Sequence, residues 1–167
     1  RYERPQKGRL RQFNQFGIEL LGISSSMADI EVISVGYEFL KKLNIKGNVC
    51  LKINSLGDHD SRTNYKKVLV DYLNDYKFEL SDESLKRLLE NPLRILDSKS
   101  EVDQKILVKA PNVLDYLNEE SKERFERVCE GLKYLNIPYE IDKNLVRGLD
   151  YYCHTAFEFI TNNLGAQ

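Results

Sequence analysis

The sequence predicts an α+β fold in which a small β-sheet is interrupted by a helical insert. Three observations predict it. Apolar and polar residues alternate near both ends of the chain, at 11–20 and 49–53 and again at 139–141 and 155–160. The stretch between them carries apolar side chains every three to four residues on a polar background. The balance of 41% hydrophobic and 31% charged residues, with only 4 Pro and 9 Gly in 167, is that of a globular protein and excludes collagen-like, coiled-coil and long disordered classes. The chain accordingly divides into core segments at 1–57 and 137–167 and a helical insertion domain at 58–136, a length that suits one domain or two small lobes.

Each element follows from its local pattern. Over 11–20, Phe13, Gln15, Gly17 and Glu19 fall on one face of a strand, and Asn14, Phe16, Ile18 and Leu20 on the other, mostly core, face. The run Gly22 to Ser26 opens a helix whose Met27, Ile30, Ile33, Tyr37 and Leu40 form one stripe and which ends near Asn44 to Gly47. Val49, Leu51 and Ile53 alternate in a short strand closed by Asn54 to Gly57. In the insert, Tyr65, Leu69, Tyr72, Leu73 and Tyr76 make one stripe and Leu85, Leu88 and Leu89 another, whose helix Ser81 can cap. Ser100 to Asp103 has the form of a capping box with Asp in the acidic position. Phe125, Val128, Cys129, Leu132 and Leu135 stripe a last helix that stops at Asn136, before Pro138. Tyr139 to Ile141 and Thr155 to Ile160 return to strand composition around the turn Arg147-Gly148-Leu149-Asp150. This topology lets the polar clusters at 1–19 and 147–152 meet on a sheet scaffold.

Charge and cysteine usage narrow the class. Lys and Arg number 25 against 26 Asp and Glu, and Arg1, Arg4, Lys7, Arg9 and Arg11 against the single acid Glu3 in residues 1–11 favour local anion binding over a wholly basic nucleic-acid surface. Three widely spaced cysteines and two histidines suggest neither a disulfide framework nor a metal site, and reducing cytoplasm is the expected compartment. No apolar run reaches the roughly 18–20 residues of a membrane-spanning helix. Arg1 to Pro5 has neither a signal-peptide pattern nor an initiator Met, and the chain reads as a piece of a longer one.

Two clusters carry chemistry. In the first, Arg9 and Arg11 precede Phe13, Gln15 and Glu19: an arginine fork matches phosphate oxygens, an aromatic ring stacks on a base, and Gln with Glu fixes an ammonium or hydroxyl group. The alternative is an edge strand with a solvated face. In the second, Arg147, Asp150, Tyr151 and Tyr152 suit a phosphoryl group and a small polar substrate; the alternative is an Arg147–Asp150 turn salt bridge beside half-buried tyrosines. Strand alternation sends Cys153 and His154 to opposite faces, Cys129 belongs to a core stripe, and His59 takes a capping or solvated role in its Asp-rich turn. Neither a P-loop nor a dinucleotide fingerprint occurs.

The run RYERPQKGRLRQFNQFGIE at 1–19 closely resembles motif 2 of the histidyl-tRNA synthetase family of class II aminoacyl-tRNA synthetases, and LVRGLDYY at 145–152 resembles that family's histidine-specific motif. NSLGD at 54–58 and NPLRILDSK at 91–99 resemble its intervening segments. The resemblance implies an antiparallel sheet flanked by helices with a helical insertion domain, and a histidine–tRNA ligase that makes histidyl-adenylate from L-histidine and ATP, with Mg2+ accompanying the nucleotide, and passes the histidine to tRNA(His). It implies a cytoplasmic homodimer in the full-length protein, with no membrane partner. Residue by residue, it implies that Arg1 and Arg147 are catalytic at the α-phosphate; that Glu3 and Phe13, with Arg1, bind ATP; that Gln15, Glu19, Arg147, Tyr151 and Tyr152 bind histidine; and that Arg9 and Arg11 meet phosphates and tRNA. Leu10, Asn14 and Cys153 stand where many members carry Tyr, His and Asn, and motif 1, motif 3, the early histidine-binding loop and the anticodon-binding domain lie outside these residues, so that complete catalysis is expected only of a longer chain. A related non-synthetase module, the regulatory subunit of ATP phosphoribosyltransferase, and a plain interaction domain are the alternatives; joint retention of Arg1 and Arg147 speaks against the former.

Overall fold

A computed structural model describes residues 11–44, 49–149 and 151–161. Its elements run α1 (Ser26–Lys42), β1 (Cys50–Ser55), α2 (His59–Asp75), α3 (Asp82–Glu90), a 3₁₀ turn at Pro92–Ile95, α4 (Glu101–Leu107), a second 3₁₀ turn at Val113–Tyr116, α5 (Glu119–Tyr134), β2 (Glu140–Ile141) and β3 (Thr155–Ile160). The fold is α+β, as the pattern predicts. The sheet has the order β2-β1-β3, with β3 antiparallel and β2 parallel to the central β1. A parallel neighbour requires a long crossover, and α2 to α5 supply it.

Helix starts are set by side-chain caps. Ser25 accepts from Met27 N, Asp58 from Ser61 N, Ser81 from Ser84 N and Asn118 from Ser121 N. The expected capping box at Ser100 to Asp103 does not form, because Asp103 turns inward. It is wholly buried and accepts from Ser81 N at 2.9 Å and from the hydroxyls of Ser81, Ser84 and Ser98 at 2.7, 2.6 and 2.6 Å. Burial alone would raise its pKa; the hydrogen bonds from these serines outweigh it and hold the carboxyl below its ordinary value.

Among the described residues two large apolar clusters result, and a small third one gathers Leu56, Leu145 and Ala156. In one large cluster, Ile30 and Ile33 of α1, Leu51 and Ile53 of β1, and Phe125, Val128 and Leu132 of α5 pack together. In the other, Tyr65, Leu69 and Leu73 of α2 gather Leu88, Ile95, Ile106, Leu107 and Val113. Packing therefore joins α5 to α1 and the sheet, although its sequence position lies within 58–136. Gly131 permits this approach: a Cβ there would stand 2.3 Å from Ile30 Cδ1. Leu89, Met27 and Leu135, which the stripes count as core, are 86%, 66% and 45% exposed, because each sits at the margin of its helix's buried arc.

Candidate functional site

The site is built on the face of the sheet that α1 and α5 leave uncovered. Alternation along β1 sends Leu51 and Ile53 to the helices and Lys52 and Asn54 to the opposite face. Asn54 is fully buried and donates from Nδ2 to the carbonyls of Leu145 at 3.1 Å and Lys143 at 3.4 Å, pinning the loop that follows β2; its Oδ1 has no partner. Lys52 Nζ lies 2.8 Å from Asp142 Oδ2 at the start of that loop. The hydrogen bond to Asp142 raises the Lys52 pKa against the opposing effect of burial.

The loop delivers Arg147 to β3. Its Nη1 donates to Glu158 Oε1 at 2.5 Å and its Nη2 to the carbonyl of Phe157. The described partner of Arg147 is thus Glu158; Asp150, the partner considered from sequence, lies outside the described residues. Gly148 lies beside Arg94: a Cβ there would stand 3.6 Å from Arg94 Cζ, in ordinary van der Waals contact, and Arg94 is carried by the 3₁₀ turn whose Pro92 and Ile95 are buried. A second insert arginine, Arg62 of α2, donates to the Tyr152 carbonyl. The rings of Tyr151 and Tyr152 lie 4.6 Å apart and tilted by 33°, and a hydrogen bond donated by the Tyr151 hydroxyl toward Tyr152 favours the neutral phenol and pushes Tyr151 above its usual pKa.

Hollows flank this loop on two sides. Between Arg147, Arg62, Tyr65 and Leu93 is a cavity of about 20 Å³, room for about one water. Between Lys52, Asp142 and Glu158 on one wall and Leu96 to Lys99 of the insert on the other lies a cleft of about 1050 Å³, wide enough for a small-molecule substrate. Among the described residues no cluster of three His, Cys, Asp or Glu side chains is arranged to hold a metal ion, and no helix is long and apolar enough to cross a membrane.

The structure places the other candidates differently. Arg1, Glu3 and Arg9 lie outside the described residues. Arg11, Phe13, Gln15 and Glu19 are exposed on a segment that is not a strand. Among the described residues no neighbouring strand offers it a ladder, the sheet there consisting of β1, β2 and β3. Its even-numbered face is not core either: Phe16 is 67% exposed and stacks on Phe39 of α1, centroids 5.0 Å apart. Arg147, Tyr151 and Tyr152 come together on one loop; among the described residues no hydrogen bond, ion pair or ring contact ties them to Phe13, Gln15 or Glu19.

Cys153 and His154 do not alternate on a strand, because β3 begins only at Thr155. His154 has φ +56° and a two-way backbone clasp, its N–H donating to Gly57 O and its carbonyl accepting from Leu56 N, both at 2.7 Å. Burial, then the cation of Arg124, lowers its imidazole pKa despite Asp29, Asp58 and Glu120 nearby. Sequence reasoning missed Glu158, Asn54, Asp142 and Arg62. A lone acid between Phe157 and Phe159 was the available signal for Glu158; the others take their meaning from partners roughly 90 residues away in the chain.

The histidyl-tRNA synthetase family profile matches residues 1–167. A histidine–tRNA ligase of Rhodospirillum rubrum is 54% identical over all of this chain and 40% of its own length, and one from Wolbachia pipientis of Culex pipiens is 52% identical over all of this chain and 41% of its own. The chain thus spans about two-fifths of the curated relatives it matches. A crystal structure of apo S. aureus histidyl-tRNA synthetase superposes with a TM-score of 0.62 at 38% identity, covering 83% of this chain and 32% of that one.

Proposed function

The chain belongs to the histidyl-tRNA synthetase family, and from that premise we propose that the protein carrying it activates L-histidine with ATP and esterifies tRNA(His). In the first step a histidine carboxylate oxygen attacks the α-phosphorus, forming a phosphoryl–oxygen bond as the bond to pyrophosphate breaks. In the second the terminal ribose hydroxyl of the tRNA attacks the adenylate carbonyl and AMP leaves. Neither step needs a covalent enzyme intermediate, so positioning and electrostatic stabilisation carry the catalysis.

The observation that carries this reading is the presentation of Arg147. Its guanidinium has five N–H donors, and the two that bond Glu158 and Phe157 fix its plane on the strand, leaving three for a developing phosphoryl charge. Tyr151 and Tyr152, at the end of the same loop, line the histidine side chain; Gln15 and Glu19 hold its ammonium end. Arg1 shares the α-phosphate, Glu3 and Phe13 take the adenine, and Arg9 and Arg11 reach phosphates and the tRNA end. Mg2+ travels with ATP as the counter-ion of its phosphates. A cytoplasmic homodimer of the full-length protein completes the proposal.

Histidine-dependent ATP–pyrophosphate exchange tests it, measured on this chain, on the intact gene product, and on Arg147→Ala in both. Exchange in the intact protein that is lost in the variant supports the assignment; exchange unaffected by Arg147→Ala overturns the role of Arg147, and none in the intact protein overturns the activity.

A further inference from the structure

Lys52 and Glu158 are directly paired across β1 and β3. Opposite residues on neighbouring antiparallel strands have Cβ atoms about 4.5–5.5 Å apart, so a cross-strand ion pair between this lysine and this glutamate is the default. The structure does not make it. Lys52 turns to the other side and bonds Asp142 at 2.8 Å, while Glu158 takes Arg147 at 2.5 Å. Four half-buried charges therefore sort into two pairs along one face of the sheet, Asp142 with Lys52 and Glu158 with Arg147.

The sorting has a chemical consequence. A guanidinium held by one carboxylate and one carbonyl on a strand is fixed in plane and direction, which a mobile arginine in solvent is not. An ammonium on Glu158 would compete with that hold, and Asp142 removes the competitor. Asp142 is itself set by the fold: its N–H donates to Ile53 O at 3.0 Å, and its Oδ1 accepts from Asn144 N at 3.0 Å.

We propose that Glu158 is a positioning residue for Arg147 in adenylate formation, and that Asp142 keeps it available by drawing Lys52 away. The proposal rests on the ligase reading above and deepens it. Glu158 touches no reacting atom; it acts through the direction of the guanidinium.

The experiment measures histidine-dependent ATP–pyrophosphate exchange in the intact gene product. Glu158→Gln should lower kcat about 10- to 100-fold with KM for ATP little changed, since the missing interaction matters most as charge develops. Asp142→Asn keeps the acceptor for Asn144 N–H but loses the charge; the freed ammonium then divides between Glu140, its partner in register on β2, and Glu158, and kcat should fall by less than in Glu158→Gln. Adding Lys52→Met to Asp142→Asn removes the competitor and should restore most of the activity. A merely structural role predicts the opposite, a double variant at least as impaired as the single one. Unchanged kcat in a folded Glu158→Gln protein, or a double variant without recovery, overturns the proposal. A wild-type protein that exchanges normally while these variants behave so leaves the ligase reading standing; a wild-type protein without exchange removes both.

Discussion

Asp58 and Asn118, sixty positions apart, cap two different helices and each other. The Asn118 amide donates to Asp58 Oδ2 at 2.7 Å, Asp58 N–H donates to Ser121 Oγ at 3.2 Å, and Asn118 N–H donates to Ser61 Oγ at 3.0 Å. Each helix thus supplies the third-position serine that satisfies the other helix's cap residue. Hydrogen bonds from Ser61 and Asn118 hold the Asp58 carboxyl below its ordinary pKa.

From this reciprocity we expect non-additivity. Asp58→Ala and Asn118→Ala should each cost about 1–2 kcal/mol. The double variant should cost less than their sum by about 0.5–1 kcal/mol, because either change alone already disrupts the shared network. Urea unfolding of the four proteins measures the cycle, and strict additivity would refute the linkage.

Gly57 stands just before this clasp with φ +67°, and a Cβ there would meet Ser61 Cβ at 2.7 Å and Leu117 Cδ2 at 2.9 Å. Gly57→Ala should therefore lose about 2–4 kcal/mol, combining left-handed strain with overpacking. Gly22, at φ +80°, has open space around it, so Gly22→Ala carries the strain alone, about 1 kcal/mol. Thermal unfolding of both separates sterics from backbone; equal losses would mean the clash at 57 relaxes freely.

Asp103 makes the insert acid-sensitive. Its folded pKa is depressed, so its contribution is fully present above the unfolded value of about 4 and is lost as pH falls through the lower folded one. Asp103→Asn should destabilise by about 2–3 kcal/mol at neutral pH, since a donor then faces the three serine hydroxyls, and should flatten the decline below about pH 4. Denaturant midpoints taken from pH 7 to pH 2.5 report both; a variant with the wild-type acid slope assigns the slope to other groups.

Arg62 couples α2 to the tyrosine pair through the Tyr152 carbonyl. On the proposed ligase reading, Arg62→Gln in the intact gene product should raise KM for histidine about tenfold, with a smaller effect on KM for ATP, because the loop end that carries Tyr151 and Tyr152 loses a charged donor. Arg62→Lys retains charge without the planar fork and should fall between the two. Equal rises in both KM values would place the effect elsewhere than on the tyrosines.

How far these features were legible in the sequence depends on how local their causes are. The cap at Ser81 and the stripes of α2, α3 and α5 depend on neighbours within a turn or two, and they emerge as read except at Leu89 and Leu135, which are exposed. The 11–20 segment alternates like a strand, yet alternation specifies only which face would be buried, and no ladder partner lies beside it among the described residues. Asp103 fits a capping box by spacing, but the three serines that claim it come from two other turns of chain. Arg147 was visible through its motif, whereas Glu158 gains its meaning only from the register that sets it opposite Lys52.

The tied caps at 58 and 118 also bear on the order in which the chain organises. β1 must find β3 across the whole insert, and closing a long flexible loop costs entropy that grows with the logarithm of its length, about 0.6 kcal/mol per doubling. If α2 to α4 collapse first on their own apolar cluster and the caps clasp, the stretch from 58 to 118 no longer counts toward that loop. The folded insert would then act as a splint, leaving only the chain from 119 to 154 for the sheet to close over.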